Sequence, residues 1–128
     1  MGPGARFAGE VQAGDAGRYG DLIGRVGDEI TPHHMPQAAQ GFTPYRDGGA
    51  LALPFDEHVL TRTYGWRGAQ VLEQEAGLPF RQVLARDFRD IRSLFGSKYN
   101  EGMRDLYRYY QENYPQLMQK PPMPGGQP

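Results

Sequence analysis

The residues of this chain best suited to chemistry are its three histidines, His33, His34 and His58. The first two are consecutive in the run Thr31–Pro36, where a proline stands on either side of the pair. Successive side chains of an extended segment point to opposite sides, so one imidazole can face a metal ion while its neighbour faces a substrate. This arrangement suits hydrolysis, because one histidine can fix a cation at a phosphate and the other can take a proton from water.

The third histidine follows the pair after an interval that fits a β-hairpin. Asp28–His34 is expected to be extended, and Ala50–Phe55 is a short apolar run between turn residues that predicts a second strand. If the two strands pair, His58 at the start of the next helix returns over the first pair. Asp56 would then lie close enough to supply a carboxylate. Strand, loop, strand and helix is the layout of a ββα-metal site.

The second half of the chain predicts about three helices. Phe80–Phe95 carries apolar residues at the 3–4 spacing of one buried face, and Gly96 is a natural stop. Ser97 can cap the next helix, which ends at Tyr114, and a shorter helix is predicted at about 66–76. The expected fold class is therefore α+β, with a small ββα-like hairpin site packed against a C-terminal helical subdomain.

Glycine and proline, 18 and 11 residues, make up more than a fifth of the 128 residues. Their distribution predicts a flexible Gly-rich arm or linker at 1–17, a single domain at 18–117 and a disordered Pro/Gly-rich tail at 118–128. The absence of cysteine excludes disulfides, thiolate metal sites and cysteine nucleophiles. No apolar stretch approaches the ~20 residues that span a bilayer, and no signal peptide is recognised in this chain.

Charge is divided unevenly along the chain. Residues 1–57 contain four arginines against eight acidic residues, whereas 58–108 contain eight arginines and one lysine against six acidic residues. An acidic first half suits a cation site, and an arginine-rich second half can attract a polyanion. For any single arginine, a solvated helix face is the simpler explanation.

The segment after His58 combines hydroxyl, cationic and aromatic side chains. Arg62 and Arg67 can hold phosphates, and Tyr64 or Trp66 can stack on a base. Core anchoring of the following helix is the favoured explanation for Trp66, whereas substrate binding is slightly favoured for Arg62.

The run Thr31-Pro32-His33-His34-Met35-Pro36 resembles the double-histidine motif of HNH/endonuclease VII-type nuclease domains, also called ββα-metal or His-Me finger domains. It is most similar to the C-terminal toxin domains of bacterial polymorphic toxins, including Rhs and contact-dependent inhibition proteins. The resemblance covers roughly residues 19–112. Its further segments are Ala50–Pro54, Asp56–Gly65, Asp87–Arg92 and Phe95–Asn100.

This resemblance implies a metal-dependent endonuclease toxin domain that hydrolyses phosphodiester bonds in competing bacteria, with DNA favoured over RNA as the substrate. By the same resemblance, His34 matches the general base and His33 a metal ligand. His58 matches the second metal-binding position, with Asp56 as a further candidate. The implied cofactor is one divalent ion, Mg²⁺, Zn²⁺, Ni²⁺ or Mn²⁺.

The resemblance also implies where such a protein acts. It predicts a secreted effector that forms the C-terminal part of a larger protein and is delivered into the target-cell cytoplasm. The expected partners are a nucleic-acid substrate and a cognate immunity protein in the producing cell.

The chain departs from the family pattern after His58, because many members have another histidine four residues later and this chain has Arg62. Thr61 occupies the nearby position, so Thr61 and Arg62 join His34 as candidate catalytic residues. The predicted substrate-binding residues are Arg62, Arg67 and Tyr64.

That departure leaves several alternatives open. The metal site is incomplete, the roles of His33 and His34 are exchanged, or the domain is a metal-independent, histidine-based RNase. An alternative of another class is a non-enzymatic interaction module that docks through the aromatic C-terminal helices, where tyrosines 107, 109, 110 and 114 otherwise belong mostly to the core.

Overall fold

The computed structural model of the chain describes residues 11–23 and 29–120. In that part of the chain, three short strands form a sheet: β1 (Ala16–Arg18), β2 (Ile30–His34) and β3 (Gly49–Pro54). β3 lies in the centre and pairs antiparallel with both neighbours. The two strands expected from the sequence are therefore confirmed as β2 and β3.

Helices follow the sheet in the described residues: α1 (Phe55–His58), α2 (Trp66–Gln74), α3 (Phe80–Phe95) and α4 (Asn100–Asn113). The first is a single turn that continues directly from β3. Gly96 ends α3 with a φ of 63°, a left-handed value that glycine adopts without strain. The predicted α+β class is confirmed. The last helix begins later than a Ser97 cap predicts, because a turn in which Asn100 N donates to Ser97 O comes first.

The helices cover one face of the sheet. Leu51 and Leu53 of β3 point to that face and are fully buried. Burying them removes apolar surface from water, which is the main driving force for packing the helices here. Their partners in the core come mainly from α3 and α4, and include Phe80, Leu84, Ile91, Met103, Leu106 and Tyr110. On the other face, Ala50 joins a smaller cluster with Leu22 and Tyr19.

The last helix lies close to the sheet because Gly49 has no side chain. A Cβ at this position would collide with Leu106 and with the Tyr110 ring. The buried Tyr110 hydroxyl accepts a hydrogen bond from Gly49 N at 2.7 Å and donates one to Met35 O at 2.7 Å. A single side chain of α4 therefore ties the end of β2 to the beginning of β3.

The domain boundaries differ from those expected. The glycine content predicts an arm over residues 1–17, but Ala16 and Gly17 belong to β1, and Gly14 N donates to Ala52 O at 2.8 Å. A three-residue strand of sequence Ala-Gly-Arg has no apolar alternation that would reveal it. At the other end, Leu117 and Met118 pack against the core.

The remaining predictions for the two ends concern residues 1–10 and 121–128, which lie outside the described residues. Within the described ranges, no helix combines the length and the apolar character needed to cross a membrane.

Candidate functional site

The fold brings His33 and His58 together. His33 lies on β2 opposite Leu51, so its side chain points to the sheet face that the helices cover. His58 is the last residue of α1, which β3 leads into directly. The two ring centroids are 5.0 Å apart, with the ring planes tilted by 60°. His58 therefore returns over His33, as the hairpin expectation requires.

Thr31 fixes the tautomer of His58. The Thr31 hydroxyl donates its proton to Leu53 O at 3.2 Å, because a carbonyl oxygen can only accept. At 2.8 Å from His58 Nδ1, the same hydroxyl must then act as the acceptor, so Nδ1 carries the hydrogen. The lone pair of neutral His58 consequently lies on Nε2. That nitrogen is the one available to a metal ion or a proton.

Burial keeps both of these imidazoles neutral. It lowers the pKa of His33, which is only 4% exposed, to about 3, with the nearby His58 acting in the same direction. Burial also lowers the pKa of the half-buried His58. A neutral imidazole is the form that binds metal ions. None of the side-chain hydrogen bonds found in the described part of the chain involves the His33 ring.

His34 lies on the opposite face of the sheet. It pairs with Ala50 on β3, and its ring stacks on Tyr19 with centroids 3.9 Å apart and planes within 10°. His34 Nε2 donates to Tyr45 O at 2.9 Å, since the carbonyl can only accept. Burial lowers the pKa of His34 as well. The histidine expected to be the base is thus separated by the sheet from the pair formed by the other two.

Thr61 is fully buried, and its hydroxyl donates to the backbone oxygen of His58 at 2.8 Å. This hydrogen bond stabilises the turn that follows α1. Its one proton is used within the protein, so Thr61 is placed to support His58 and does not face solvent.

Arg62 is held in a buried ion cluster. Its Nη1 and Nη2 contact the two carboxylate oxygens of Glu75 at 2.9 and 3.0 Å, and its Nε donates to Asp87 at 3.0 Å. Its backbone N–H donates to Asp90 at 2.9 Å. Arg86 adds a second cation to Glu75 at 3.1 Å. The guanidinium predicted to bind substrate is therefore committed to carboxylates that join the segment after His58 to α2 and α3.

The two buried acids of this cluster differ. Glu75 binds guanidinium groups through both oxygens, whereas Asp87 uses only Oδ1, and its buried Oδ2 has no partner. Burial raises the pKa of Asp87 to about 7, although the charge of Arg62 opposes the shift. Asp87 therefore holds a proton far more readily than an exposed aspartate does.

The other predicted site residues lie at the edge of this arrangement. Tyr64 packs edge-to-face on His58 with centroids 5.1 Å apart. Arg67 points Nε and Nη2 at backbone oxygens of Thr61 and Val59. Asp56 is exposed, and in the described part of the chain no group of three or more acidic or histidine side chains could hold a metal ion.

Sequence reasoning missed three residues that shape the site, Thr31, Asp87 and Glu75. Thr31 stands two residues before His33 on a strand, and this spacing places both on one face. Asp87 falls on the apolar stripe of α3, and an acid on a buried stripe requires a cation partner. Both signals were present in the sequence. Glu75 gave no such signal, because only the approach of α2 to α3 brings it to Arg62.

Comparison with known proteins adds no relative: no family model matches the chain, and no curated protein or solved structure matches it at a significant level.

Proposed function

We propose that this domain is a metal-dependent endonuclease that hydrolyses phosphodiester bonds, with His33 and His58 as the ligands of a divalent ion. The observation that carries the proposal is the convergence of two neutral imidazoles, 5.0 Å apart, one of them oriented by Thr31. A threonine that accepts from Nδ1 is the kind of outer contact that orients a metal-binding histidine.

The distance between the rings fits a shared ion. Two histidines bound to one tetrahedral ion at ~2.0–2.1 Å have ring centroids about 5 Å apart. Two nitrogen donors suit Zn²⁺ or Ni²⁺ better than Mg²⁺, which prefers oxygen ligands. His33 and His58 thus fit the proposed ion, and water and substrate oxygens would complete its coordination.

The division of roles follows from the contacts. A bound divalent ion supplies Lewis-acid polarisation of a phosphate and a more acidic water. His58 presents Nε2, because Thr31 holds Nδ1–H. Thr61 holds the His58 backbone through its carbonyl oxygen. His33 supplies a second nitrogen from a position that excludes most water.

This assignment retains the expected ligand roles of His33 and His58 and drops His34 as the base at this site. A metal-independent acid–base RNase would need one imidazolium at neutral pH, and the lowered pKa values of all three histidines oppose this in the free protein. The role of an antibacterial effector with DNA as substrate, and of an immunity protein as partner, is proposed on the resemblance of the His-His-Met-Pro segment.

The test is cleavage of supercoiled plasmid and of RNA by the purified chain, with Zn²⁺, Ni²⁺, Mn²⁺ or Mg²⁺ or with EDTA. We expect nicking that requires a metal ion and that disappears in His58→Ala, with unchanged circular dichroism. Intact plasmid and RNA under every metal condition would contradict the nuclease proposal. Cutting that persists in EDTA would contradict the metal assignment alone.

A further inference from the structure

A cleft between α3 and α4 contains two arginines that no acidic residue neutralises. Its volume is about 260 Å³, and it is lined by Phe88 and Arg92 of α3 and by Asn100, Met103, Arg104 and Tyr107 of α4. None of these residues is acidic, and neither guanidinium forms an ion pair or a hydrogen bond within the described ranges. We refer to this positively charged groove as the α3–α4 cleft.

A neighbouring arginine on the same helix has a different environment. Arg108 lies one turn beyond Arg104 on α4, and it is bound to Asp105 at 3.3 Å. It lines a larger cleft of about 520 Å³ beside β1, in which four acidic residues outnumber two arginines. An anion is therefore attracted to the α3–α4 cleft and repelled by the larger one. Guanidinium groups hold phosphates especially well, because their planar array of N–H donors matches the phosphate oxygens.

The cations and the aromatic rings lie at different ends of the α3–α4 cleft. Residues 96–99 connect the two helices. Phe88 stands four residues before Arg92 on α3, and Tyr107 stands three residues after Arg104 on α4. On both helices, the ring is thus one turn further from the connection than the arginine, with ~5–6 Å between their Cβ atoms. The cleft therefore has a cationic end near the connection and an aromatic end beyond it.

Asn100, the first residue of α4, supplies a polar group at the cationic end. Its Oδ1 is buried and has no hydrogen-bond partner in the described part of the chain. A buried acceptor that is left unsatisfied costs stability. The side chain therefore gains by turning into the cleft towards a ligand that offers a hydroxyl or an N–H group.

The size and the chemistry of the cleft define its ligand. Ligand pockets usually measure ~300–1,000 Å³, so a cleft of about 260 Å³ holds one small molecule or one unit of a chain. The ligand needs an anion for the arginines, a hydroxyl beside the anion for Asn100, and a flat ring for the aromatic end. A nucleotide carries all three groups. Its sugar also separates the phosphate from the base, as the two ends of the cleft require.

We propose that the α3–α4 cleft is a binding site for a nucleoside monophosphate. Arg92 and Arg104 hold the phosphate, Asn100 bonds to the sugar, and the base packs against the two aromatic residues. The nucleotide is either a free molecule or one unit of a strand, because both carry the same groups. His58 does not line the cleft, so this inference does not rest on the proposed function.

Nuclear magnetic resonance of the isotope-labelled chain measures this binding at the cleft itself, in EDTA so that no metal-dependent cutting occurs. Adenosine monophosphate and thymidine monophosphate are titrated, and inorganic phosphate and the two nucleosides are titrated separately. We expect saturable shifts of the side-chain signals of Arg92, Arg104 and Asn100. At least one nucleotide should bind about tenfold or more tightly than phosphate or either nucleoside, because only the nucleotide reaches both ends of the cleft.

Variants test the two ends of the cleft separately. Arg92→Ala and Arg104→Ala should each weaken nucleotide binding about tenfold or more, because each removes a charge-assisted hydrogen bond to the phosphate. Arg89→Ala is the matched control, since Arg89 is an exposed arginine of α3 that does not line the cleft. Tyr107→Leu should weaken binding about fivefold or more, whereas Tyr107→Phe keeps the ring and should bind like the parent chain.

Two short thymidylate strands, one with and one without a terminal phosphate, distinguish the sources of the nucleotide. If both strands shift the same three signals, the ligand is a nucleotide within a strand. If only the free nucleotide and the strand with the terminal phosphate do so, the ligand is a terminal or free monophosphate. Both results support the site.

Other outcomes overturn the proposal. These are the absence of any shift with either nucleotide, equal weakening in Arg89→Ala and Arg92→Ala, and binding of inorganic phosphate as tight as that of the nucleotides. Tighter binding of O-phosphotyrosine than of either nucleotide would also overturn it, in favour of a phosphorylated protein. His58→Ala should bind the nucleotides like the parent chain. A chain that binds them and cuts nothing would therefore refute the proposed hydrolysis and keep this site.

Discussion

His33 faces the helices from β2, whereas His34, the next residue, faces away from them. His33 meets a second histidine and is almost completely buried. His34 meets Tyr19 and the backbone of Tyr45, and no other histidine stacks on it in the described residues. Two residues of the same type, one position apart, therefore have different partners. In a strand, the face that a side chain occupies decides which chemistry it can join, and adjacency in sequence does not.

The register of the sheet sets this difference. Opposite residues of an antiparallel pair share a face, so His33 accompanies Leu51, and His34 accompanies Ala50. Helices cover the Leu51 side, while a small cluster around Leu22 covers the other. A shift of the register by one residue would exchange the two histidines.

The largest effect expected from this comparison concerns catalysis. His58→Ala should reduce cleavage on the order of 10²-fold or more, because it removes a ligand of the ion that would polarise the phosphate. His34→Ala should leave the rate nearly unchanged, since the sheet separates it from the pair. Both effects are measured as plasmid nicking rates of the two variants, in the presence of the metal ion that activates the parent chain. A strong loss in His34→Ala with an active His58→Ala would reverse the assignment.

A smaller effect is expected at the threonine that orients His58. Thr31→Val removes the acceptor for Nδ1–H and should weaken Zn²⁺ binding by about 10- to 100-fold. Isothermal titration calorimetry measures this affinity directly. Thr31→Ser keeps the hydroxyl and should bind nearly as tightly as the original residue. Equal affinity in the valine and serine variants would show that this contact does not orient the ligand.

A pH-dependent effect is expected in the ion cluster around Arg62. The folded-state pKa of Asp87, about 7, lies above its ordinary value of 3.8, so the folded protein holds a proton that the unfolded chain releases. This contribution to stability is complete below pH 4 and is lost as the pH rises to about 7. Asp87→Asn cannot ionise and should escape this loss.

Urea unfolding of the parent chain and of Asp87→Asn at pH 5 and pH 8 tests the direction of this pH dependence. Between these two pH values, the difference in unfolding free energy between the two proteins should shift by about 2–3 kcal/mol in favour of Asp87→Asn. The same pH dependence in the parent chain and the variant would contradict a protonated Asp87.

The smallest effect is expected on the His34 side of the sheet. Tyr19→Leu removes the ring on which His34 stacks and should lower the free energy of unfolding by about 0.5–1 kcal/mol. Cleavage should not change, because this face does not reach the pair. Thermal unfolding and nicking rates measured on the same samples would reveal any link between the two faces.

Much of the fold could be predicted because periodicity reports burial directly. The apolar spacing of Phe80–Phe95 and the short run after Gly49 gave a helix and a strand at nearly the observed bounds. The return of His58 over the strand pair followed from the same pattern. β1 escaped detection, since Ala-Gly-Arg carries no pattern and is a strand only because β3 offers it a partner.

The site was less accessible to sequence reasoning. The sequence predicts that Arg62 is free for substrate, because its carboxylate partners lie 13 and 25 residues away along the chain. The sequence predicts Trp66 in the core, because a large aromatic ring usually gains from burial, and this prediction is wrong, since Trp66 is 70% exposed. The ion partners of Arg62 and the exposure of Trp66 both depend on how α2 approaches α3. A sequence pattern does not encode this approach.

The Tyr110 hydroxyl bonds to residues 61 and 75 positions earlier in the chain. A ribosome releases the strands long before it releases this side chain, and contacts between such distant residues form late. We therefore expect the ends of β2 and β3 to be locked only after α4 is made. Under the proposed function, the order of synthesis would delay nuclease activity in the producing cell until nearly the whole domain has been translated.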